Sequence, residues 1–116
     1  AYEKAFKLEP TNPEVLNNYA WLLLTSENLE LRDPSTALTL ARSAAALQPK
    51  CYILDTLATA YWANGLVEQA IETERQAMEI DAAQRRFYQA QIAKFSSQTY
   101  EDSIKQSAAE NRGTQQ

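Results

Sequence analysis

The chain has 116 residues, with 15 Asp and Glu against 11 Lys and Arg, a net charge of −4, no His and a single Cys. That length holds one domain, and the acidic balance excludes the basic face that a nucleic-acid partner calls for. Without His the commonest general base and metal ligand is missing, Cys51 has no partner for an internal disulfide, and the run Trp21-Leu22-Leu23-Leu24 falls far short of the roughly 20 residues of a membrane span.

Taken in chain order, Ala1-Tyr2-Glu3-Lys4-Ala5-Phe6-Lys7-Leu8-Glu9-Pro10 reads as a helix closed by proline: small residues at helical spacing, an apolar residue, a polar one and a stop. The shape returns in Ala41-Arg42-Ser43-Ala44-Ala45-Ala46-Leu47-Gln48-Pro49, and again in Glu74 to Ala82 with Ala82 as the stop. Pro10 and Pro49 lie 39 residues apart, and Pro49 and Ala82 lie 33 apart. Repetition at such a period marks a stacked array of small helical units, none of which buries its apolar face alone.

Between the stops a second piece recurs. Asn12-Pro13-Glu14 opens a helix, with Asn12 as cap and Pro13 at the first helical position. Leu16-x-x-Tyr19-Ala20-x-x-Leu23 then forms one apolar helix face. Its counterpart is Leu54-x-x-Leu57-Ala58-x-x-Tyr61, followed by the turn signal Asn64-Gly65 and a second helix, Val67-x-x-Ala70-Ile71-x-x-Glu74-x-x-Ala77. Ala20 and Ala37 are 17 residues apart, whereas Ala58 and Ala70 are 12 apart. Five extra residues therefore occupy the first turn, within Thr25 to Asp33, where the turn Gly is absent. Asp33-Pro34 restarts the helix. Residues 26–32 are expected to form an ordered loop with Leu29 and Leu31 tucked onto neighbouring helices. After Asp81, Ala83 to Ser96 reads as a helix with Tyr88, Ile92 and Phe95 on one face. From Tyr100 the tail is polar, Thr99 is placed to cap a short helix, and disorder is expected beyond about Asn111.

Over roughly residues 1 to 98 this pattern resembles the tetratricopeptide repeat, best in Leu54 to Asp81, where Leu54, Leu57, Ala58, Tyr61, Gly65, Ala70 and Ala77 occupy motif slots. The resemblance implies an all-α solenoid of antiparallel helix pairs in a right-handed superhelix with a C-terminal capping helix. It divides the chain into the second helix of a truncated repeat (1–10), a repeat with the insertion (13–49), a regular repeat (51–82), a capping helix (83–98) and a partly disordered tail (99–116). It also implies the C-terminal part of an array from a larger protein; Leu29-Glu30-Leu31-Arg32-Asp33-Pro34 is similar to the terminal repeat of large bacterial repeat proteins. The truncated end would leave Ala1, Ala5 and Leu8 short of cover and promote weak self-association.

The implied role is protein–protein interaction or scaffolding without catalysis. The alternative is a docking or regulatory segment of a larger enzyme such as a glycosyltransferase or kinase. In the family the first helix of each pair lines the concave face, which here offers Asn17, Trp21, Leu24, Tyr52, Asp55, Thr59 and Trp62. Trp21 and Trp62 are the natural anchors for a peptide or protein ligand; the competing placement packs Trp21 beneath the insertion and Trp62 against the last helix. Some members clamp a C-terminal carboxylate with Lys, Asn and Arg on these helices. The matching slots hold Asn17, Trp21, Asp55 and Thr59, so that mode is disfavoured, and a ligand with apolar anchors, optionally with a basic residue, fits better. The acid pairs Glu68/Glu72 and Glu72/Glu79 read as a solvated face, Arg85-Arg86 as a surface pair, and Cys51, without a His, as passive. No catalytic residue, metal site or cofactor is expected. A soluble chain is expected, and its compartment stays open between cytoplasm and periplasm.

Overall fold

A computed structural model describes residues 12–106, and the readings of 1–10 and of the chain beyond 106 lie outside it. Five helices follow one another: α1 (Pro13–Thr25), α2 (Pro34–Leu47), α3 (Cys51–Ala63), α4 (Val67–Ile80) and α5 (Arg85–Ser97). Short 3-10 turns occupy Leu29–Leu31 and Ala82–Gln84, helical backbone resumes over 100–106, and no strand occurs among the described residues. Each helix packs on the next, and α1 also reaches α3, the first helix of the following pair. The fold is all-α, a stack of helix pairs.

Small side chains let the axes approach. Ala20, Ala37, Ala41, Ala44, Ala58, Ala70 and Ala77 are all fully buried, and the adjoining volume is filled by Leu16, Leu24 and Ile53 at close-packed density. Helix starts are fixed by side chains that occupy the otherwise orphaned N–H groups. Asn12 Oδ1 accepts from the backbone N–H of Glu14 at 2.9 Å and of Val15 at 3.3 Å. Asp33 accepts from the Thr36 N–H at 3.1 Å and from the Thr36 hydroxyl at 2.6 Å.

The two intra-pair turns differ. Between α3 and α4 the chain turns through Gly65 at φ +79°, with Gly65 N–H donating to Trp62 O at 3.0 Å and Leu66 N–H to Tyr61 O at 2.9 Å. Glycine alone takes that φ without strain. Between α1 and α2 the extra residues form the 3-10 turn, held by Asp33 N–H to Leu23 O at 2.9 Å and Arg32 Nε to Ser26 O at 2.8 Å. Leu29 and Leu31 do not tuck inward as expected; each is about half exposed, at 52% and 51%. Polar anchors hold this loop, and the short turn leaves its leucines in solvent.

The start of the tail is also less polar in its packing than its composition suggests. Tyr100 is buried, and its hydroxyl donates to Leu24 O at 2.7 Å. That bond ties segment 100–106 to the end of α1. Thr99 Oγ1 accepts the Asp102 N–H at 3.1 Å at the start of the segment.

Candidate functional site

A cleft of about 300 Å³ lies where α1, α3, α5, the first turn and segment 100–106 converge. From α1 come Trp21, Leu24 and Thr25, and from α3 Thr59 and Trp62. The remaining walls are Gln91 and Lys94 of α5, Tyr100 and Ser103, and Arg32 of the inserted turn. Repeat stacking brings α1 and α3 side by side, while α5 and the segment after it fold back against them.

The floor is aromatic. Trp62 stacks obliquely on Phe95 at 5.4 Å between centroids and meets Tyr100 edge-on at 5.7 Å, and its Nε1 donates to Gln98 O at 2.9 Å. Lys94 Nζ sits 4.9 Å from the centroid of the Trp62 ring, a cation–π contact. Arg32 lies 5.8 Å from the centroid of the Tyr100 ring and donates to its hydroxyl at 3.4 Å. Trp21, by contrast, is 40% exposed.

Beside this cleft is a buried acid. Glu74 of α4 is fully buried, and no N–H or O–H reaches either of its carboxyl oxygens. Its neighbour Asp55 is an acceptor and takes Gln91 Nε2 at 3.2 Å. The arrangement is satisfied when Glu74 holds a proton and donates it to Asp55. Burial, and then that bond to Asp55, push the Glu74 carboxyl up to about 10, against an opposing pull from Lys94. Among the described residues no group of His, Cys, Asp and Glu could hold a metal ion, and no helix is long and apolar enough to cross a membrane.

Residues 1–48 match the family model of the tetratricopeptide repeat. That match and the all-helical fold support a tetratricopeptide-type repeat. No curated protein and no solved structure gives a match. Tetratricopeptide repeats generally mediate protein–protein interaction and are typically non-catalytic.

Of the seven residues read from sequence as the concave face, four meet in the cleft: Trp21, Leu24, Thr59 and Trp62. Trp62 is a correction. It retains only 3% of its exposure and belongs to the core, because α5 and Tyr100 cover it. Leu24 and Thr59 are likewise buried and contribute floor, not open surface. Tyr52 is exposed but lies apart, its hydroxyl donating to Glu14 Oε1; that bond holds its proton more tightly than usual. Asn17 and Asp55 are outside the lining of the cleft, with Asn17 Oδ1 buried and unpartnered. Sequence reasoning missed Arg32, Gln91, Lys94, Tyr100 and Ser103. Gln91, Lys94, Tyr100 and Ser103 stand far from α1 in the chain, Arg32 lies in the inserted turn that follows it, and no repeat slot marks any of them. Glu74 was legible: it falls four residues after Ala70 and three before Ala77, on the stripe that faces the core.

Proposed function

We propose that this tetratricopeptide-type chain is a non-catalytic interaction module whose cleft receives an extended peptide segment of a partner protein. The observation that carries the reading is the half-open indole of Trp21 beside a cleft already shaped by buried residues. An exposed tryptophan on rigid helices offers large apolar area at little entropic cost, the property that makes aromatic residues binding hot spots. A volume of about 300 Å³ suits one or two side chains of a ligand, not a cofactor of drug size. Trp62, Leu24 and Thr59 support the surface from beneath.

A library of random peptides, displayed with both ends fused and panned against the full chain, tests this. Enrichment is expected, with binding lost in Trp21→Ala while the helical signal and melting stay intact. A library that yields no binder, or binders indifferent to Trp21→Ala, would overturn the proposal.

A further inference from the structure

The chain carries a net charge of −4, yet the cleft is lined by two cations and by no Asp or Glu. Arg32 spends its Nε on Ser26 O and one further N–H on Tyr100, which leaves the rest of its five-donor fork for a ligand. Lys94 rests on the Trp62 ring and takes no hydrogen bond there. The neutral hydroxyls have little to offer a carboxylate: those of Thr25, Thr59 and Ser103 donate to Trp21 O, Asp55 O and Tyr100 O. The adjacent acids do not reverse the sign. Asp55 keeps its charge, faces Gln91 and sits outside the lining, and Glu74 is driven toward its protonated form by burial, so one carboxylate stands near two cations.

We infer that the cleft selects an internal Asp or Glu side chain of an extended partner segment, its carboxylate taken by Lys94 and Arg32 while Trp21 covers an adjacent apolar residue. This rests on the peptide-binding reading above, and it replaces the basic ligand suggested by Asp55 with an acidic one. The cations come from the inserted turn and α5 and so lie outside the first-helix positions of the repeat.

The same panning separates the two proposals. Acidic residues beside an apolar one should dominate the binders. A synthetic peptide of the enriched sequence, acetylated and amidated, should bind roughly three- to fivefold more tightly than its Glu→Gln form, the size expected of a partly exposed ion pair, and more tightly still than its Glu→Lys form. Added salt should erase the difference. Lys94→Gln should remove most of the Glu-over-Gln preference, and since it leaves the Arg32–Ser26 bond alone it tests the charge without disturbing the turn. Neutral or basic binders that depend on Trp21 would overturn the acidic selection and leave peptide binding standing. So would a preference unchanged in Lys94→Gln. A library without any binder would overturn both.

Discussion

The two helix pairs, α1–α2 and α3–α4, share a plan and diverge at equivalent places. In the register that pairs Leu16 with Leu54, Trp21 stands where Thr59 stands and Trp62 where Leu24 stands; Trp62 and Leu24 are both buried, whereas Trp21 is 40% exposed and Thr59 buried. Ala41 and Glu74 each stand four residues after a buried alanine of the second helix, and both are fully buried. Asn17 and Asp55 each follow a core leucine; Asn17 Oδ1 lacks a partner, whereas Asp55 faces a carboxyl that donates to it. The lesson is that a repeat slot fixes where a side chain stands and not what covers it. α5 closes over the second pair, and Thr59 is buried at the slot where Trp21 stays open in the first.

The largest expected effect breaks the tryptophan comparison. Trp62→Ala removes the stacking on Phe95 and Tyr100 and leaves Gln98 O without its indole donor. It should cost about 3–5 kcal/mol, measured by chemical denaturation, and should speed hydrogen exchange across 100–106. Trp21→Ala should stay within about 0.5–1 kcal/mol, as for a surface substitution. Equal losses for the two would mean that Trp21 is structurally covered and that the contrast in exposure is wrong.

A smaller effect sharpens the Ala41–Glu74 comparison. The Glu74 carboxyl is raised from 4.5 to about 10, so the folded state holds a proton that the unfolded chain releases. Stability from this group is therefore complete below about pH 4.5 and declines as pH rises toward 10. Glu74→Gln keeps a donor toward Asp55 and has nothing to ionise. It should be more stable than the parent by about 1–2 kcal/mol at pH 8, the scale of an ill-satisfied buried polar group, with the gap closing toward pH 4. Thermal melts across that range decide it, and a pH-independent difference would show that Glu74 does not hold the extra proton.

The helix pairs were legible because small and large residues recur in register, and periodicity of that kind is a direct image of packing. Ala37, Ala58 and Ala70 could be placed on the buried face from spacing alone. The cleft was not legible in the same way. Lys94 and Tyr100 join Trp21 in the cleft only through the return of α5 and the tail, and Arg32 through the inserted turn, neither of which leaves a periodic trace. Tyr100 looks like one apolar letter in a polar tail, and its burial follows from the bond to Leu24 O. Trp62 shows the opposite case. The sequence left two placements open for it, and the one against the last helix is the one the fold adopts, with Trp62 on Phe95.

The smallest effect concerns the turns, where the pairs solve one problem by different means. Gly65 reverses the chain through backbone conformation, whereas the longer turn relies on side chains, chief among them Asp33 with its two bonds to Thr36. Those bonds hold the Asp33 carboxyl below its ordinary value of 3.8, the hydroxyl of Thr36 first and its N–H second. A lowered acid contributes stability above its unfolded value and loses it as pH falls through the folded one. Asp33→Ala should therefore cost about 1 kcal/mol at neutral pH, the usual loss of a helix cap, and progressively less under acidic conditions as the parent's own carboxylate is protonated. Asp33→Asn should recover most of the loss at neutral pH, since its carbonyl still accepts the Thr36 N–H, and should show no acid dependence at this site. Because Asp33 also fixes the exit of the loop that carries Arg32, Asp33→Ala should loosen the cationic side of the cleft, and limited proteolysis at Leu29 should rise with it. Melts of the three chains at pH 7 and pH 3, beside the proteolysis rates, decide the point: a loss for Asp33→Ala that does not shrink at low pH would mean that the charge of Asp33 plays no part in holding the turn.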